Sequence, residues 1–299
     1  MLRTTGSIAY GRLPGEDAPR RRDSVESLIS LLRGRRFVVL TGAGCSTDSG
    51  IPDYRGPTGA ARQRQPMQLQ EFLRSDAHRR RYWARSTVGW RVIAAAQPNP
   101  VHDVVAALEG AGHITAVITQ NVDGLHRVAG SQRLIELHGS LFRVRCMACD
   151  WRGDRAALQD DLLRHNPGLR DALASHAPDG DADLDDALSG AGQAQPWMPV
   201  CPLCGGIVKP DVVFFGENVA RPIVDAAWRA FEGASALLIL GSSLAVYSGF
   251  RFARGAAERG MPIAIVNQGA TRADDLAAVR VEESLAPTLA ALQRALCGG

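Results

Sequence analysis

A doubly wound parallel α/β sheet with an inserted smaller module is the architecture that three observations on this 299-residue sequence predict. Short apolar runs recur at RFVVL, HITAVIT, RLIEL, ALLILG and PIAIVN, each of strand length and apolar enough to be buried on both faces. Helical segments separate them, which is the alternation of a parallel, Rossmann-like sheet. Between residues 144 and 208 that alternation stops, and two Cys-x-x-Cys pairs and an acidic loop take its place.

Taken in order, residues 1–23 read as a disordered tail, with Arg20, Arg21 and Arg22 set among Glu16, Asp17 and Asp23 and no apolar signal core before them. A helix over 24–33 buries Val25, Leu28, Ile29, Leu31 and Leu32. The first strand ends at Leu40 and runs into TGAGCSTDSG. Residues 59–94 form a polar, arginine-rich helical part, whose stretch from Arg74 to Arg91 is expected to present a solvated face. PNPVHDVVAALEGAG has a proline start and a glycine end, as a helix should. The main domain is thus assembled from 24–58, 95–143 and 209–299, and the smaller one from 59–94 and 144–208.

Hydrophobic residues make up 45% and charged residues 22%, and no apolar run approaches the roughly 18 residues that span a bilayer, so no membrane association is expected. The net charge of +3 does not point to direct nucleic-acid binding. Lys209 is the single lysine. Of six cysteines, four fall into pairs while Cys45 and Cys297 stand alone, which is no disulfide framework and fits a reducing compartment, most simply the cytoplasm.

CMAC at Cys146 and Cys149 and CPLC at Cys201 and Cys204 are two knuckles that can place four thiolates on one tetrahedral zinc. Redox dithiols or plain buried thiols are the alternatives. Four cysteine ligands leave no open position, so such a zinc is structural. The loop Asp179 to Asp186 lacks the glycine of a calcium loop, having Leu184 there, and reads as solvated.

The turn after the first strand should offer the amides of Ala43, Gly44 and Cys45 to a diphosphate at a helix start. Gly50 is not at the third position of a dinucleotide fingerprint, so a tight turn alone is an open alternative. GSS (Gly241 to Ser243) and NQG (Asn267 to Gly269) follow other strands, and strand carboxyl ends gather at one crevice. Ser242 suits a phosphate oxygen and Asn267 a ribose hydroxyl. Asn121, Asp123, Asp53 and Arg55 reach the same crevice, which is more polar chemistry than cofactor holding requires.

GAGCSTDSGIPDYRG, TQNVDGLH, ELHGS, the paired knuckles, KPDVVFFGE, GSSLAVYSG and IVNQG, in that order, resemble the sirtuins, and IPDYR, APDGD and GSSLAVYSG resemble their class II branch, which has many bacterial members. The resemblance implies that NAD is a consumed co-substrate and that acyl groups leave protein lysines, giving nicotinamide and O-acyl-ADP-ribose. It implies His138 as the general base, Asp123 (with the Ile51 region) as the nicotinamide holder, and Asn121 as the residue positioning ribose or water. It also implies a loop with Asp53 and Arg55 that closes over NAD, and a cofactor set of Gly42, Ala43, Gly44, Tyr54, Gln120, Gly241, Ser242, Ser243, Asn267, Gln268, Gly269 and Leu285. Val213, Phe214, Phe215 and Gly216 would line the acyl-lysine peptide cleft, adding the peptide as a strand opposite GSSLAVYSG, although Phe214 also reads as core. The sequence after Arg55 carries Arg62 and Arg64 without the nearby tyrosine of the succinyl-specific branch, so a preference for acidic acyl groups is not supported. His126 reads as structural. Mono-ADP-ribosyl transfer and non-catalytic NAD sensing are the competing readings.

Overall fold

The computed structural model describes residues 21–54, 66–172, 178–182, 184 and 195–298. Its strands are β1 (Phe37–Thr41), β2 (Ile114–Thr119), β3 (Leu134–Glu136), β4 (Gly139–Cys146), β5 (Arg152–Asp154), β6 (Val208–Val212), β7 (Ala236–Leu240), β8 (Ile263–Val266) and β9 (Val279–Val281). Its α-helices are α1 (Val25–Leu32), α2 (Leu69–Arg74), α3 (Asp76–Ala95), α4 (Pro100–Gly110), α5 (Leu125–Val128), α6 (Arg155–His165), α7 (Arg221–Arg229), α8 (Tyr247–Glu258) and α9 (Leu285–Cys297).

Six strands lie parallel in the order β3-β2-β1-β7-β8-β9. The chain winds outward from β1 to β3 and restarts on the other side of β1 at β7, so the strand order reverses between β1 and β7, where an open sheet has its crevice. Each face has its own core, as the two-residue period of a strand dictates. Phe37, Val39 and Leu238 meet Leu28 and Leu32 of α1, Val105 and Leu108 of α4 and Leu289 and Leu292 of α9. Val38, Leu237 and Ile239 meet Ala227 of α7 and Phe252, Ala253 and Ala256 of α8. Burying one such aliphatic side chain contributes about 1.5–3 kcal/mol. Local signals agree: Ser24 caps α1 by accepting the Ser27 amide, and Asn99 caps α4 with Pro100 in its first turn.

β4, β5 and β6 form a separate antiparallel sheet in the order β5-β4-β6. It includes residues 139–143 of the segment expected in the main domain, because the chain leaves β3 and enters β4 within three residues. Gly139 makes that step at φ +81, where a Cβ would overlap the Asp211 carbonyl. The helical part and the cysteine part share one core, with Phe72, Tyr82, Trp83 and Trp90 packed against Leu141, Val144, Leu162, Val208 and Val212.

Three expectations are corrected. The arginine-rich stretch is solvated only towards its ends, at Arg74, Arg81 and Arg91: every residue of α3 from Tyr82 to Trp90 is buried, Arg85 forms an ion pair with Asp181, and Gly89 admits the Gly180 carbonyl so closely that a Cβ would overlap it. The acidic loop is correspondingly not solvated where it is described, since Asp181, Ala182 and Leu184 are buried. Arg21–Asp23 are not a free tail. The Asp23 amide donates to the Arg280 carbonyl at 2.7 Å, the Arg280 amide to the Asp23 carboxylate at 2.8 Å, and Arg22 pairs with Glu282. Residues 1–20 lie outside the described residues.

Candidate active site

The carboxyl ends of β1, β2, β3, β7 and β8 bring the predicted loops together. After β1 the chain closes into two 3₁₀ turns, Ala43–Cys45 and Thr47–Ser49, rather than the start of a longer helix. Two of the three amides expected to face a diphosphate are used inside the protein: Gly44 N–H donates to the Gly241 carbonyl and Cys45 N–H to the Gly42 carbonyl. Ala43, first in its turn, keeps the amide that such a turn leaves unpaired. The glycines serve loop contact: a Cβ on Gly42 would lie 2.6 Å from the Ser242 Cβ, and one on Gly44 2.9 Å from the Gly241 Cα. Cys45 is a core thiol, its pKa pushed up to about 12 by burial.

His138, two residues beyond β3, stands where the two sheets join. Its ring is half-buried, with Nδ1 2.9 Å from the Gln120 carbonyl and Nε2 2.8 Å from Ser248 Oγ. Loss of hydration lowers its pKa to about 4; the Gln120 bond opposes this and the Arg251 charge adds to it. The imidazole is therefore neutral at pH 7, the state in which a base can accept a proton.

Asn121 and Asp123 tie the β2 loop to the β1 loop. Asn121 Nδ2 donates to the Gly42 carbonyl at 3.0 Å and to Ser46 Oγ at 3.1 Å, and Ser46 Oγ–H donates to Asp123 Oδ2 at 2.7 Å. Asp123 Oδ1 accepts the Leu125 amide, and its pKa is raised by burial against those hydrogen bonds. A carboxylate retains further lone-pair sites in this arrangement. Gln120 Nε2 donates to Ser242 Oγ at 2.8 Å, and Ser242 Oγ also accepts the Leu244 amide, leaving the serine's own proton to donate. Leu244 has φ 54 and is the non-glycine residue with positive φ among the described residues. Asn267 uses its Nδ2 on the Gln268 and Gly269 carbonyls, Gln268 reaches Ser284, and the Gly269 amide reaches Glu282. Ser243 is half-buried beside this loop, and Leu285 opens α9 against the main core. Asp53 and Tyr54 begin the expected NAD loop, Tyr54 lying edge-on to Phe215 with ring centroids 6.4 Å apart, whereas Arg55, Arg62 and Arg64 lie outside the described residues.

At the expected peptide cleft, Phe214 takes the core place that the sequence also allowed, and part of the neighbouring backbone is already engaged. Phe214 is a core residue, 5.3 Å from both Phe72 and Tyr82 by ring centroid, under the Lys209 ammonium at 4.3 Å. The strand-addition edge is already partly filled: the Val213 amide donates to the His138 carbonyl, the Phe214 amide to Glu217, and Phe215 pairs with Gln68. Val213 and Phe215 are half-buried and Gly216 is exposed at the edge of the crevice. Sequence reasoning did not single out Ser46, Ser248 or Asn99, whose Nδ2 holds the Cys45 carbonyl at 2.8 Å. The first two lie inside quoted motifs, and Asn99 carries the helix-cap signal. His126 is structural as expected, buried and bonded to Thr41.

The four paired cysteines converge. Cys146 to Cys204 and Cys149 to Cys201 are 3.6 Å apart by sulfur, and the four sulfurs lie within 4.8 Å of one another. Zn–S bonds of about 2.3 Å in a tetrahedron set sulfurs roughly 3.8 Å apart, so the set fits zinc and is too open for disulfides. Gly206 packs so close that a Cβ would be 3.1 Å from two of the sulfurs.

These features define an α/β dinucleotide fold with a neutral imidazole at its strand-end crevice and a closed four-cysteine module that fits a metal. Residues 42–248 match the Sir2 family, and the chain belongs to it. An NAD-dependent protein deacetylase of Xanthomonas campestris pv. campestris (strain 8004) is 53% identical over 262 residues, covering 88% of each chain. NAD-dependent protein deacetylase 2 of Bradyrhizobium diazoefficiens is 50% identical over 276 residues, covering 92% of this chain and 99% of that one. A Sir2 structure with a p53 peptide and NAD+ superposes with TM-score 0.70 at 30% identity, covering 91% of this chain and 98% of the other.

Proposed function

We propose that this protein is an NAD-dependent protein-lysine deacylase in which His138 is the general base. The observation that carries the reading is the His138 imidazole, neutral and fixed at the strand-end crevice where the β1, β7 and β8 loops converge. The loops fit a dinucleotide by their polar atoms: the Ala43 amide and the Ser242 proton donate to phosphate, and Asn267, its Nδ2 spent on the Gln268 and Gly269 carbonyls, accepts a ribose hydroxyl at Oδ1. NAD, when bound, supplies the ADP-ribose that accepts the acyl group and the nicotinamide that leaves. His138 accepts a hydroxyl proton at Nε2, since Nδ1 is committed to the Gln120 carbonyl. Asn121 and Asp123 hold the β1 and β2 loops in register and present the remaining polar atoms to the nicotinamide side. Val213, Phe215 and Gly216 receive the acyl-lysine peptide. The four cysteines hold one structural zinc.

Proteins or peptides bearing acyl-lysine are the substrates. They lie on other molecules, because Lys209 is fully buried and paired with Glu217 at 2.9 Å. No helix among the described residues is long and apolar enough to cross a membrane, the four-cysteine site fits a reducing, cytoplasmic setting, and the net charge of +3 gives no support to a nucleic-acid partner.

Mass spectrometry of small-molecule products from protein, NAD and acetyl-, longer acyl- and lipoyl-lysine peptides tests this. Acyl-ADP-ribose with stoichiometric nicotinamide is expected. ADP-ribose left on protein would make the enzyme a transferase, and intact NAD would make it a sensor.

A further inference from the structure

His138 has a second partner that the mechanism above does not use. Ser248, the second residue of α8, places Oγ 2.8 Å from Nε2, while the Gln120 carbonyl takes Nδ1 at 2.9 Å. A carbonyl oxygen can only accept, so Nδ1 carries the ring proton, Nε2 bears the lone pair, and the Ser248 hydroxyl donates to it.

We propose that Ser248 is a positioning residue for the base: its hydroxyl and the Gln120 carbonyl clamp the imidazole at both nitrogens, aiming the Nε2 lone pair until a substrate hydroxyl takes the serine's place. The proposal deepens the deacylase reading and rests on it. A second, independent contact registers the same two elements. Gly249 lies so close to Gln120 that a Cβ would overlap the side-chain amide, so the first turn of α8 docks on Gln120 as well as on the ring. Gln120 is itself held, its Nε2 donating to Thr41 O at 3.2 Å and Ser242 Oγ at 2.8 Å. The two anchors of the imidazole are thereby locked to each other and to the end of β7. Arg251, also on α8, supplies the positive charge that acts on the ring.

The test uses the full chain with ¹⁵N-labelled histidine. In Ser248→Ala the Nε2 resonance should move towards that of a lone-pair nitrogen without a donor, and kcat should fall roughly 10- to 100-fold, the cost of a loosened reactive group. NAD affinity should not change. Ser248→Thr, which keeps the hydroxyl, should restore the resonance and most of kcat. An unmoved Nε2 resonance in Ser248→Ala, or a folded Ser248→Thr as slow as the alanine variant, would overturn the proposal. Failure of the wild-type protein to consume NAD would instead remove the deacylase reading, while the resonance still reports whether the serine donates to the ring.

Discussion

In the six-stranded sheet every residue of β1, β2, β7 and β8 is buried, whereas in the three-stranded sheet β5 exposes Arg152 and Asp154 and β4 mixes buried with half-buried positions. Aliphatic burial on two faces holds the first. The domain around the second keeps charge inside: Arg85 with Asp181, Arg155 between Trp83 and Trp90, and Lys209 over Phe214 beside Glu217. The second has a single core where the larger sheet has one on each face, and Cys146 and Cys201 are buried members of it. His138, the proposed base, lies at the junction, so its position depends on both.

The contrast is broken most severely by removing the metal. Chelation, or Cys201→Ser, should unfold the cysteine module while the six-stranded sheet persists, because structural zinc contributes roughly 10–16 kcal/mol of apparent binding free energy in small zinc peptides. Hydrogen exchange should show protection lost over β4–β6 and retained in β1, β2 and β7; uniform loss would mean that the two regions fold as one unit.

Asp181→Ala leaves Arg85 buried without its partner, which should cost about 3–5 kcal/mol in denaturant unfolding. A change below 1 kcal/mol would mean that water reaches the guanidinium. Gly89→Ala drives a methyl into the Gly180 carbonyl and should cost about 1–3 kcal/mol, with the same glycine-to-alanine change at exposed Gly110 as the reference.

The smallest effect distinguishes the large domain. Burial lowers His126 to about 3, with the His102 charge adding, and His102 to about 4, against an Asn99 bond, both from an ordinary 6.5. Below pH 6.5 the unfolded chain binds protons that these folded rings refuse, so their contribution is complete above that value and is lost as pH falls towards about 4 for His102 and about 3 for His126. Each ring should account for on the order of 1 kcal/mol per pH unit in that window. A His126→Gln variant that is folded should show a shallower acid slope in denaturant titrations.

Five strands of the parallel sheet were legible because each is a largely apolar run between glycine or polar loops, whereas β9, with Arg280 at its centre, carried no such signal; the metal site was legible because paired thiols at knuckle spacing have few other uses. Phe214 was readable both as cleft and as core, and only packing against Phe72 and Tyr82 decides it. The buried arginines were not legible. Arg85 and Arg155 look like any other charge in α3 and α6, and what buries them is a loop ninety or so residues away for one and a pair of tryptophans for the other. The amides of Gly44 and Cys45 were assigned to a ligand, but the approach of Gly241, set by sheet order and not by local pattern, uses the first of them. Ser248 was hidden for the same reason: its partner is 110 positions away.

The most direct test of the central claim compares wild-type protein and His138→Ala for acyl-ADP-ribose formation from NAD and an acetyl-lysine peptide, with NAD binding followed by calorimetry in both. Turnover should drop about 10²- to 10⁴-fold while NAD still binds. Undiminished acyl-ADP-ribose from the alanine variant would contradict the assignment of His138 as the base.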